Sequence, residues 1–71
     1  MKKYIMEEWF RGKQIQYLVF KAENLEEAMN FCDEKQKMTD SSINLGDSAD
    51  AYGNMFVTAV KLINGQWNIK N

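Results

Sequence analysis

Two neighbouring stretches, residues 3–10 (KYIMEEWF) and 14–22 (QIQYLVFKA), carry large apolar side chains at odd and even positions alike. Both are rich in β-branched and aromatic residues, and Arg11-Gly12-Lys13 stands between them, so they read as a β-hairpin. Side chains alternate between the two faces of a strand, so this ribbon repels water front and back. Whatever the chain folds into must cover both sides or leave one open.

The expected connection is a three-residue loop, Phe10-Arg11-Gly12, with Gly12 left-handed beside a bulge. A two-residue Arg11-Gly12 turn would force Arg11 to positive φ as well. With the longer loop, odd positions pair with odd. One face then holds Ile5, Trp9, Ile15, Tyr17 and Val19, broken mid-strand only by Glu7. The other holds Tyr4, Met6, Leu18 and Phe20, with Glu8, Gln14 and Gln16 toward the turn. The odd face has fewer internal polar residues and is assigned to the core.

Residues 24–38 (NLEEAMNFCDEKQKM) form the one clear helix. Asn24 is a good N-cap and Glu27 completes a capping box. Glu26 and Glu27 in the first turn, with Lys35 and Lys37 in the last, suit the helix dipole. Leu25, Ala28, Met29 and Cys32 make the buried stripe, with Phe31 beside it. Residues 39–54 (TDSSINLGDSADAYGN) read as a long polar loop, with a short helical turn near Ser48–Tyr52 as an alternative.

Residues 55–63 (MFVTAVKLI) and 66–70 (QWNIK) flank Asn64-Gly65, a strong hairpin signal. A two-residue turn sets Ile63 opposite Gln66, Leu62 opposite Trp67 and Val60 opposite Ile69. Phe56, Val60, Leu62, Trp67 and Ile69 then form the buried face, with Met55 and Val57 outside. The order β–β–α–loop–β–β predicts an α+β, two-layer fold. About four antiparallel strands carry one helix on one face, all in a single domain over residues 1–71.

Composition narrows the chemistry. Of 71 residues, 45% are hydrophobic and 13% aromatic, with net charge −1, which argues against disorder. There is no histidine and one cysteine, so His- or Cys-based zinc sites, histidine-dependent catalysis and an internal disulfide are ruled out. No phosphate loop or dinucleotide fingerprint occurs. Asp40, Asp47 and Asp50 share the 39–54 segment but match no cation-binding spacing, and read as a solvated loop. Glu7 and Glu8 point to opposite faces and cannot work as an acid–base pair. Cys32 falls on the buried stripe and reads as inert. No metal, cofactor or enzymatic activity is expected.

Glu7 and Glu8 interrupt the apolar N-terminus too early for a signal peptide, and no stretch reaches membrane-span length. A cytoplasmic location with no membrane association is expected. Scaling puts the folded surface at roughly 4,600 Å². Burial and chain entropy then balance at about 107 kcal/mol each, so added burial in an oligomer or complex would help.

One helix covers one sheet face. Tyr4, Met6, Leu18 and Phe20, with Glu8 as rim charge and Met55 and Val57 alongside, are therefore the expected partner-binding patch. Its cover is the 39–54 segment through Ile43, Leu45 and Tyr52, a second copy, or another protein. The chain accordingly reads as a small non-enzymatic protein-binding module, a homodimer. The alternative is a small nucleic-acid or nucleotide binder stacking bases on Tyr4 and Phe20 near Lys2 and Arg11, which the scattered basic residues and mild acidity disfavour. In size, mild acidity and layout the chain looks like the small accessory proteins of phages and mobile elements. That resemblance implies an inhibitor that binds a host protein. Phe20→Glu is expected to leave the fold intact, and Leu25→Glu to unfold it.

Overall fold

The computed structural model describes residues 1–49 and 55–70. In chain order the elements are β1 (Lys2–Phe10), β2 (Lys13–Ala22), α1 (Leu25–Lys35), β3 (Ser42–Ala49), β4 (Met55–Lys61) and β5 (Trp67–Ile69). The strands form one antiparallel sheet in the order β2-β1-β3-β4-β5. Because β1 is antiparallel to both neighbours, β2 and β3 run parallel, and α1 is the crossover between them. The α+β class with one helix on one face stands as expected from sequence. The accessible surface is 4754 Å².

The fifth strand comes from the segment expected to be a loop. Ile43 and Leu45 alternate with Asn44 and Gly46, and both apolar residues are fully buried. Residues Ser42–Ala49 of this segment do not lie over a sheet face as a lid; they enter the sheet between β1 and β4. The helical turn near Ser48–Tyr52 does not form at Ser48 and Ala49, which are strand; residues 50–54, and with them Asp50 and Tyr52, lie outside the described residues.

Both hairpin turns differ from expectation, in opposite senses. The first is the two-residue turn: Phe10 pairs with Lys13, and Arg11 (φ 50°) and Gly12 (φ 78°) are both left-handed, as a type I′ turn requires. A bulge follows, with Trp9 opposite Gln14 but Glu8 opposite Gln16, leaving Ile15 as the extra residue. Turn and bulge together restore odd–odd pairing: Ile5–Val19, Glu7–Tyr17. The second hairpin has the three-residue loop. The Leu62 N–H donates to Gln66 O at 2.9 Å, the Gly65 N–H to Leu62 O at 2.9 Å, and Gly65 alone takes positive φ there, at 89°. Asn64 uses its side chain to accept from the Gln66 N–H at 3.0 Å. Lys61 therefore faces Trp67, and Ala59 faces Ile69.

That one-residue slip exchanges the faces of β4. Ala59 is the fully buried residue, while Phe56, Leu62 and Ile69 are exposed. The first hairpin is inverted as well: the helix covers its even face. Tyr4, Met6, Ala22, Ala28, Cys32, Ile43, Leu45 and Ala59 form one core, and Leu18, Phe20, Leu25, Met29 and Trp67 pack against it. The Phe20 ring stacks between Tyr4 (centroids 5.9 Å apart) and Phe31 of the helix (4.0 Å).

The helix starts as the sequence dictates. Asn24 accepts from the Glu27 N–H at 2.9 Å, and the Glu27 carboxylate accepts from the Glu23 N–H at 3.3 Å. It ends at Lys35 and not at residue 38, because the next donors are taken elsewhere. The Lys37 and Met38 N–H groups turn out of the ladder toward Glu8.

Candidate functional site

The residues expected to form an outer patch are divided by the fold. Tyr4, Met6 and Glu8 are buried at 2% exposure or less, and Leu18 and Phe20 are half-buried against the same core. They are not an open surface. Met55 and Val57 lie on the opposite side of the sheet. Val57 pairs with Gly46, and a Cβ on Gly46 would overlap the Met55 side chain. Of the two rings expected to stack bases, Tyr4 is buried and Phe20 lies between Tyr4 and Phe31. Asp40 lies in the turn before β3; Asp47 is a strand residue whose carboxylate pairs with Lys2 at 2.9 Å and pushes that amine above its ordinary range.

Glu8 explains the inversion. As a presumed rim charge it weighed against burying the even face, yet it is fully buried. Its carboxylate accepts from Gln16 Nε2 (2.9 Å), the Lys37 N–H (2.9 and 3.1 Å), the Met38 N–H (3.0 Å) and Ser41 Oγ (2.6 Å). Burial alone would raise this carboxyl; the bonds from Ser41, Lys37, Met38 and Gln16 outweigh it and hold the group below its ordinary value. Gln16 also donates to Lys35 O at 2.9 Å, satisfying a carbonyl freed by the helix end. A carboxylate so saturated has no lone pair to offer a substrate. It is a structural tie between β1 and the end of α1.

A second polar cluster joins the other end of the sheet to the helix. Lys61 Nζ reaches Asp33 Oδ1 (2.6 Å) and Gln36 Oε1 (2.8 Å), and the Trp67 indole donates to Asp33 Oδ1 at 3.1 Å. Sequence reasoning missed this cluster, since the expected register put Lys61 on the outer face. Cys32 is fully buried, and burial pushes its thiol up to about 12, too high for a thiolate at neutral pH. Among the described residues no three His, Cys, Asp or Glu side chains are grouped for a metal.

The odd face of the first hairpin is left uncovered by any described helix. It continues across the sheet in rows set by the strand register. Lys21 and Lys3 form one row; Val19, Ile5, Gly46 and Val57 the next; Tyr17, Glu7, Asn44, Val60 and Asn68 the third. Tyr17 and Val19 are 47% and 53% exposed, and Trp9, Ile15, Val57 and Val60 are half-buried. Ile5, in the middle row, is buried at 2% between Val19 and Gly46, where the Met55 side chain lies. Trp9 lies at the turn end, its indole 3.4 Å from Glu7 Oε1. This face is the candidate site, and its chemistry is apolar contact edged by charge. Comparison with protein-family models, curated proteins and solved structures gave no match.

Proposed function

We propose that the chain is a small, non-enzymatic protein-binding module that acts through the open face of its sheet. One observation carries the reading. Tyr17 and Val19 stand exposed beside Ile5, Trp9, Ile15, Val57 and Val60, on the side of the sheet opposite the helix. Exposed apolar side chains grouped on one face mark a contact surface, and a sheet face bearing aromatic and β-branched side chains suits another protein better than a small ligand. The ionisable groups gathered elsewhere support it: Glu8 is saturated by internal donors and Cys32 stays protonated. The reading includes a reducing, cytoplasmic setting for that thiol. No helix among the described residues is long and apolar enough to cross a membrane. An accessory protein that inhibits a host protein by occupying one of its surfaces is the biological form this binding would take.

Val19→Glu tests the reading, with Phe20→Glu as its opposite-face control. Val19→Glu should keep the circular dichroism spectrum and lose a stoichiometric partner, self or other. Phe20→Glu should lose the fold, because it puts a charge between the Tyr4 and Phe31 rings. Retention of the same partner by a folded Val19→Glu variant would remove the open face from consideration.

A further inference from the structure

The charge pattern on the open face points to its occupant. We infer that it is a second copy of this chain, packed face to face about a two-fold axis that crosses the strands at the level of Val19 and Ile5; this rests on the open face being the docking surface.

The axis follows from the three rows. The Val19–Ile5–Gly46–Val57 row is apolar across four strands. On one side of it, two residues along, stands the Lys21–Lys3 pair; on the other, equally far, stand Tyr17 and Glu7. Two residues along a strand is about 6.6 Å, so the lysines and Glu7 lie symmetrically about the middle row. Lys3 and Lys21 are exposed, directly opposed like charges, and neither has a salt bridge among the described residues. Like charges placed opposite one another across a strand pair destabilise it.

A two-fold along the middle row answers that repulsion. It reverses the strand direction and leaves each strand above its own copy. Lys3 then faces Glu7 of the second copy, and Lys21 lies over Tyr17 of the second copy, where a cation on an aromatic face is attracted. Each contact occurs twice, as an isologous interface requires. Ile5 and Gly46 of the middle row are already buried within the chain, so Val19 and Val57 supply its apolar contacts, each against its own copy, at the usual spacing of about 10 Å between sheets. Five strands about 4.8 Å apart, averaging about seven residues at 3.3 Å with β5 (Trp67–Ile69) the shortest, offer a plane of roughly 550 Å² before side-chain relief is counted. That approaches the roughly 800 Å² of accessible surface per partner in a stable interface.

Charge exchange tests this on the full chain by sedimentation equilibrium. The wild type should sediment as a dimer. Glu7→Lys alone, and Lys3→Glu alone, should each weaken self-association at least about tenfold, since each brings like charges together across the axis. Mixing the two variants should restore a dimer, because every opposed pair is again complementary. That recovery also shows both variants to be folded. A monomeric wild type, or a dimer indifferent to both reversals as pairing along the β2 edge would give, overturns the inference. The wider docking reading is judged separately by the Val19→Glu capture experiment, so a monomer that still loses another partner on Val19→Glu sinks the second copy alone.

Discussion

The first hairpin meets the helix through rings: Tyr4, Phe20 and Phe31 stack in series, with Met6 and Leu18 beside them. The second meets it through polar atoms: Lys61 and Trp67 both reach Asp33, and only Ala59 is fully buried along β4. The difference in strength follows from burial. Each buried aromatic or large aliphatic side chain contributes about 1.5–3 kcal/mol, and a stacked pair about 0.5–1.5 more. The Asp33 side chain is 45% exposed, so its ion pair with Lys61 is worth about 0–1 kcal/mol. One helix thus anchors the first hairpin firmly and the second lightly. The sheet between them, through β3, carries the rest.

The largest expected effect breaks the firm side. Glu8→Ala removes, at a fully buried position, the acceptor shared by two backbone N–H groups, Ser41 and Gln16. A loss of about 3–5 kcal/mol is expected in urea denaturation. The same group sets the acid limit. Its folded pKa lies below the ordinary value of 4.5, so its stabilisation is complete above about 4.5 and is lost as pH falls through the folded value. Wild-type stability should drop more steeply below pH 4.5 than that of Glu8→Ala.

Next in size, Asp33→Ala tests the light side. Loss of about 1 kcal/mol or less is expected, with faster amide exchange confined to β4 and β5. Equal exchange in both hairpins would show that the Lys61–Asp33–Trp67 contacts do not hold the second one separately. The smallest effect concerns the turns. Arg11 occupies a left-handed position that asparagine tolerates better, so Arg11→Asn should raise stability by about 0.5 kcal/mol in thermal melts.

The elements themselves were readable: the capping box at Asn24, the apolar stripe of α1 and both hairpins lie where pattern places them. Faces and registers were not, and the reason is specific. Asn-Gly allows a type I′ turn or a type I turn closed by a left-handed glycine, and these differ by one residue of register. Glu8 looks like surface until the donors at Lys37, Met38 and Ser41 are brought to it, which no local pattern reveals. The alternation in Ser42–Ala49 was present but rests on only two apolar residues, Ile43 and Leu45, among polar ones. The candidate face followed from the first hairpin being apolar on both sides; which side stayed open depended on Glu8.

β1 finds β2 across a two-residue turn, but Ile5 and its partner Gly46 are 41 residues apart along the chain. The central seam of the sheet is therefore its slowest to close, because the loop entropy must be met before the ladder forms. The hairpin of β1 and β2 can assemble with α1 while the later strands are still searching. Pulse-labelled exchange during refolding should protect amides that link β1 to β2 before those that link β1 to β3. Simultaneous protection would mean that the molecule condenses in one step around its buried carboxylate.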